Sequence, residues 1–113
     1  MIFIFSLDSI NQDINLIRTI QLINESPLEG EILRAKVLQP SITANNKFVF
    51  FTLVAPSFIK KYEQFSEKPV KTVYFINPLY NWDNLINVFD ITPVSETTLI
   101  LGCLGGLIIM YDF

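Results

Sequence analysis

The sequence predicts an all-β protein built from antiparallel strands. Half of its 113 residues are hydrophobic, and ten are phenylalanine. β-branched and aromatic residues, which make up much of this apolar content, fit the pleated surface of a sheet better than they fit a helix. Turn-forming residues recur about every ten positions, which is typical of short strands joined by turns. Near the C-terminus, two apolar runs are separated by a glycine pair, as in a β-hairpin. We therefore expect no long helix.

Four strands are predicted in the first half of the chain. Residues 1–8 form an apolar run that ends in turn-forming residues. In residues 14–23 the apolar residues have near-helical spacing, but apolar and polar residues also alternate over part of the segment. We predict a strand because the neighbouring segments are strands. Residues 31–39 mix polar and apolar positions and end at a proline. Residues 48–55 are apolar almost throughout, which predicts a strand buried on both faces.

The second half begins with a segment of a different character. Residues 56–69 are polar, aromatic and rich in lysine, and we predict a surface excursion there with one helical turn. Residues 70–77 and 85–92 are predicted strands, each followed by a proline. Residues 99–104 and 107–112 complete the set as a hairpin, because the glycine pair between them can adopt positive φ.

Two parts of the chain look like copies of one unit, about fifty residues apart. Val37-Leu38-Gln39-Pro40, a polar turn and then the apolar residues 48–51 parallel Asp90-Ile91-Thr92-Pro93, a polar turn and then residues 99–101. A fixed period with several strands in each copy is typical of β-propellers.

The second copy resembles a WD40-type β-propeller repeat. Residues 90–93 match the end of the first strand of that repeat, and residues 99–103 match its apolar strand with a glycine. Gly105-Gly106 takes the place of the Asp-Gly turn of the repeat. Residues 108–112 take the place of its strand that ends in Trp-Asp. Residues 2–7 and 17–22 resemble the last two strands of an earlier blade.

This resemblance implies one region, residues 1–113, that contains about two propeller-like blades at residues 1–77 and 78–113. A small β-sandwich is the alternative fold. A closed propeller needs about four to eight blades, so we expect a piece of a longer propeller or a module that another chain completes. Blade edges without neighbours also predict poor solubility or oligomerisation.

The composition argues against most catalytic and nucleic-acid-binding functions. The chain has no histidine, which excludes Ser-His-Asp and Cys-His arrangements and zinc sites that use histidine. Its net charge of −3 provides no basic excess for phosphates. The only cysteine, Cys103, lies between apolar residues and is expected to be a buried, inert thiol. We expect no enzymatic activity, cofactor or metal, and an intracellular location in the cytoplasm or nucleus.

Candidate functional residues are therefore candidates for contact with other protein chains. Tyr80 and Trp82, in a turn rich in proline and asparagine, are the first choice as interface anchors, the alternative being that Trp82 packs over the edge of its own blade. Phe58, Tyr62 and Phe65, in the lysine-bearing excursion, come next, either as cover for the core or as side chains that insert into a partner.

The acidic side chains of Glu29 and Glu31 flank a glycine, and we expect a solvated loop there rather than an acid–base pair.

The predicted function is a non-catalytic scaffold within a multiprotein complex. The alternative is a small membrane-associated protein that uses the apolar residues 99–111. A membrane span is disfavoured, because a spanning helix needs about 20 residues and this run is shorter and contains glycines.

Overall fold

The computed structural model describes residues 2–8, 10–11, 13–38, 43, 47–74 and 88–113. Apart from a 3-10 turn at Leu104–Gly106, the regular elements within these ranges are strands, so the prediction of an all-β fold is confirmed. The strands are β1 (Ile2–Asp8), β2 (Asp13–Ile20), β3 (Ile32–Leu38), β4 (Val49–Val54), β5 (Phe58–Glu63), β6 (Lys71–Tyr74), β7 (Val88–Pro93), β8 (Thr98–Cys103) and β9 (Ile108–Asp112).

The strands form three antiparallel sheets in chain order. β1 and β2 form a hairpin, β3 to β6 form a four-stranded meander called here the central sheet, and β7 to β9 form the C-terminal sheet. The segment before residue 78, which was predicted as one blade, therefore contains two sheets. The described strands agree closely with the predicted ones, except in residues 56–69.

The central sheet is covered on both faces. One cluster of buried residues joins it to the C-terminal sheet and includes Phe51, Leu53 and Leu101. A second, smaller cluster joins it to the β1–β2 hairpin and includes Phe50 and Ile20. Every residue of β4 is buried, because successive side chains point into the two clusters in turn. The prediction of a strand buried on both faces is confirmed.

The central and C-terminal sheets share one pattern of register. Phe50 of β4 pairs with Val37 and Tyr62, just as Leu99 of β8 pairs with Pro93 and Tyr111. In each sheet a bulge follows the first residue of the first strand. Three residues join the second and third strands of the central sheet, and four join those of the C-terminal sheet. The predicted parallel between the two segments thus falls on equivalent strands, but Val37 is equivalent to Pro93 rather than to Asp90.

The prediction of a surface excursion at residues 56–69 is wrong for β5, which takes up residues 58–63 and lies inside the central sheet, between β4 and β6. Most of residues 64–69 are exposed, as predicted. Phe58, Lys60 and Tyr62 are all buried. The lysine content suggested solvent exposure, but the Lys60 ammonium is paired with the buried carboxylate of Glu29 and the half-exposed carboxylate of Glu25.

The predicted C-terminal hairpin is confirmed. β8 and β9 pair antiparallel over their whole length. Gly105 and Gly106 have φ of 80° and 76°, and the Cys103 N–H donates to the Leu107 carbonyl at 2.9 Å to close the turn. These φ values lie in the left-handed region that glycine tolerates best.

Candidate interaction surfaces

Among the described residues, Lys60, in the middle of β5, belongs to a charged pair that is almost completely buried. Its side chain is 2% exposed and forms ion pairs with Glu29, which is 1% exposed, and with Glu25, at 3.0 Å from Nζ to Oε1. The Glu25 carboxylate also accepts a hydrogen bond from Thr72 Oγ1 at 3.0 Å. The cluster therefore ties the segment between β2 and β3 to the edge of the central sheet.

Hydrogen bonds within that segment hold Glu29 in place. Glu29 Oε2 accepts a hydrogen bond from the Glu25 N–H at 3.0 Å, and the Glu29 carbonyl accepts one from Asn24 Nδ2 at 3.2 Å. The expectation of a solvated loop is wrong for Glu29, because its carboxylate is buried against Lys60. It holds for Glu31, which is exposed.

The electrostatics of the cluster keep Lys60 charged. Burial lowers the pKa of the ammonium, but hydrogen bonds to Glu29 and Glu25 outweigh burial, and the pKa lies above its ordinary value. The hydrogen bond from Lys60 lowers the pKa of Glu25, against a smaller opposing effect of burial. A lysine held as a cation has no lone pair for nucleophilic or base chemistry. The arrangement is suited to a structural role.

The predicted contact residues divide into three groups. Phe58 and Tyr62 lie in the core rather than on a surface, and their rings stack on Tyr74 and Phe50 with centroids 4.4 Å and 4.7 Å apart. Phe65 is half-buried beside the smaller core cluster. Tyr80 and Trp82 lie outside the described residues.

Large exposed apolar side chains lie instead on the two outer faces of the stack of sheets. On the hairpin, Phe3 and Phe5 are each 56% exposed, and Leu16, which pairs with Phe5, is exposed beside it. On the C-terminal sheet, Ile108 and Met110 are 74% and 71% exposed. Phe5 and Leu16 are cross-strand partners and so share a face, and Ile108 and Met110 are alternate residues of one strand and also share a face. Each group therefore forms a patch.

These residues were not predicted as contact residues, although the sequence contains a signal for them. Alternate positions of a strand point to opposite faces. Ile2 and Ile4 pack towards the central sheet, so Phe3 and Phe5 between them must point outward. A run that is apolar at every position therefore indicates two apolar faces. The described residues cover both faces of β4 but only one face of β1.

An apolar groove of about 270 Å³ runs along the hairpin where it meets the central sheet. The first strand of the hairpin forms one wall, and the first two strands of the central sheet form the other. The residues lining the groove are Ile2, Phe3, Ile4, Phe5, Ala35, Val37, Phe48 and Phe50.

Two sets of surface ion pairs join the central and C-terminal sheets. Lys47 Nζ lies 2.9 Å from Glu96 and 3.2 Å from Glu63, and the hydrogen bond to Glu96, followed by that to Glu63, raises the pKa of Lys47. Lys36 lies 3.9 Å from Asp90 at another point of contact. These pairs are exposed enough to contribute little stability individually, but they connect the same two sheets as the larger core cluster.

Comparison with protein-family models, with curated proteins and with solved structures finds no match for this chain. In the described part of the chain, no three His, Cys, Asp or Glu side chains are grouped as a metal site would require. None of the helical elements within the described ranges is long and apolar enough to cross a bilayer. The class of the protein is therefore set by its fold, an all-β stack of three antiparallel sheets.

Proposed function

We propose that this chain is a non-catalytic scaffold for protein–protein interaction, built as a β-propeller-like stack of sheets. The observation that carries the proposal is the contrast between the central sheet, which is covered on both faces, and the outer faces, which are apolar and exposed. Exposed contiguous apolar patches on a folded protein typically mark interaction sites.

The arrangement of the sheets supports the propeller-like part of the proposal. A propeller blade is a four-stranded antiparallel meander, and successive blades pack face to face. The central sheet is such a meander, with a two-stranded sheet on one face and a three-stranded sheet on the other. The shared register of the central and C-terminal sheets is what two copies of one blade would have.

The outer faces indicate the kind of partner. A patch that includes Phe3, Phe5 and Leu16 is suited to another apolar sheet face rather than to a polar ligand. Sheets packed face to face bury such side chains in a layer about 10 Å thick. We propose that the partners are other protein chains of an intracellular assembly, and that binding does not involve nucleic acid.

Size-exclusion chromatography with light scattering at micromolar concentration tests the proposal. Assembly of the full chain is expected, and the double variant Phe5→Lys/Ile108→Lys should shift it towards the monomer by placing a charge on each outer face. Leu28→Lys is the matched control, because Leu28 is 68% exposed but lies in the segment between the hairpin and the central sheet.

Two results would contradict the proposal. One is assembly of the double variant to the same extent as the unmodified chain. The other is a sharp monomer peak with a cooperative thermal transition and no binding of an apolar dye, which would favour a self-contained β-sandwich.

A further inference from the structure

The outer edge of β9 has no backbone partner among the residues that the structure describes. The Cys103 N–H donates to the Leu107 carbonyl, and the Phe113 N–H donates to the Thr97 carbonyl. Hydrogen-bonded pairs alternate along an antiparallel ladder, so Ile109 and Tyr111 also bond to β8. The N–H and C=O groups of Ile108, Met110 and Asp112 therefore point to the opposite edge. Among the described residues, no strand pairs with that edge.

The central sheet shows what can occupy such an edge. β5 is the strand equivalent to β9, because Lys60 pairs with Thr52 as Ile109 pairs with Leu101. The other edge of β5 is covered by β6, which runs antiparallel to it, with Ile59 opposite Val73. The equivalent of Ile59 in the C-terminal sheet is Ile108.

The β9 edge also lacks the features that usually protect an edge strand. Natural edge strands carry lysine, proline or inward-pointing charges that discourage pairing with another chain. β6 and β3 contain Lys71 and Lys36, whereas the only charged residue of β9 is Asp112, at its end.

We infer that the outer edge of β9 accepts an extended strand from another protein chain, antiparallel to β9 and in the place that β6 takes beside β5. The inference rests on the proposed scaffold function and names its mode of binding, which is strand addition. Side chains opposite Ile108 and Met110 would share their exposed face, so the added strand should be apolar at those alternate positions.

The test uses the full chain and a capped peptide with the sequence of residues 69–74, carrying valine in place of Lys71. Amide hydrogen exchange is measured by NMR with and without the peptide at roughly millimolar concentration. Protection should appear at the amides of Ile108, Met110 and Asp112, while those of Ile109 and Tyr111 are already protected by β8. Lack of added protection, protection confined to another edge, or full protection of the three amides without peptide would overturn the inference.

Two substitutions at Met110 distinguish binding through the backbone edge of β9 from binding through its exposed apolar face. Met110→Pro removes an outward N–H and should weaken binding of the peptide about tenfold, whereas Met110→Ala keeps the N–H, adds no charge and should leave the edge able to bind. Proline is tolerated on edge strands where the N–H faces solvent, and thermal unfolding checks that each variant is folded. Equal affinities of the two variants would contradict strand addition. The scaffold proposal is tested separately, through assembly and the outer-face variants.

Discussion

Lys60 and Glu29 form an ion pair in which both side chains are almost completely buried. The pair joins the middle of β5 to the segment that precedes β3, two parts of the chain that no backbone ladder connects directly. Removing Lys60 would leave the Glu29 carboxylate buried without its counter-charge, whereas removing Glu29 would leave Lys60 with Glu25 alone. Such a loss costs far more than the net contribution of the intact pair.

Lys60→Met should therefore destabilise the protein by about 3–5 kcal/mol, because the Glu29 carboxylate stays buried without its main counter-charge. The double variant Lys60→Met/Glu29→Leu should recover much of that loss, since it removes both charges. Urea unfolding followed by circular dichroism measures the differences.

Lys36→Met is the control for a surface lysine. Lys36 is 43% exposed in its side chain and lies 3.9 Å from Asp90, so its removal should cost less than about 1 kcal/mol. A loss for Lys60→Met as small as that for Lys36→Met would show that the buried pair contributes no more than a surface pair.

The ion cluster also predicts how stability depends on pH. The pKa of Glu25 is lowered, so its contribution to the free energy of unfolding is present above the ordinary pKa of 4.5 and is lost as the pH falls through the lowered pKa. The pKa of Lys60 is raised, so its contribution is present below 10.5 and is lost as the pH rises through the raised pKa. Burial raises the pKa of Tyr62, so the contribution of Tyr62 to stability is also lost as the pH rises through its raised pKa.

The free energy of unfolding should accordingly be highest between these limits and fall at both ends. Lys60→Met should be most destabilised, relative to the unmodified chain, near neutral pH, because the contribution of the Lys60–Glu25 pair to the unmodified chain is lost as the pH falls through the lowered pKa of Glu25. Urea unfolding at a series of pH values measures both curves. A constant difference between the two proteins across the acidic range would contradict the assignment.

Most of the strands could be predicted from the sequence because local signals determine them. Turn-forming residues bound each apolar run, and Gly105 and Gly106 form the turn that their conformational freedom suggests. β5 was missed because it contains two adjacent lysines, and local composition cannot show that Lys60 meets carboxylates brought from more than 30 positions earlier in the chain. Long-range pairing of this kind depends on the fold.

The candidate site was harder to predict for the same reason. Aromatic residues such as Phe58 and Tyr62 are chemically suited to both interfaces and cores, and only the position of β5 inside the sheet decides between them. Met110 and Ile108 were not selected, because their exposure depends on which face of β9 the central sheet covers.

The hairpin glycines should be sensitive to substitution despite having open space around them. No atom lies within 4 Å of a Cβ built on Gly105 or Gly106, so the cost of Gly105→Ala or Gly106→Ala comes from positive φ alone, about 1–2 kcal/mol each. Gly102→Ala is the control, because it has ordinary φ and its new Cβ would meet Asp90 at 3.6 Å, a normal contact. Urea unfolding that shows equal costs at all three positions would contradict this origin.

Cys103 should react with thiol reagents only when the protein opens. Its side chain is buried in the larger core cluster, burial raises the pKa of the thiol, and the Sγ lies 3.9 Å from the Leu101 carbonyl, to which it can donate. The nucleophilic thiolate is therefore both scarce and inaccessible. Labelling with a disulfide reagent at neutral pH should be about a hundredfold or more slower in buffer than in urea, since it requires opening of the sheet. Gly105→Ala should speed labelling by destabilising the adjacent turn, and rapid labelling of the unmodified chain in buffer would place the thiol on the surface instead.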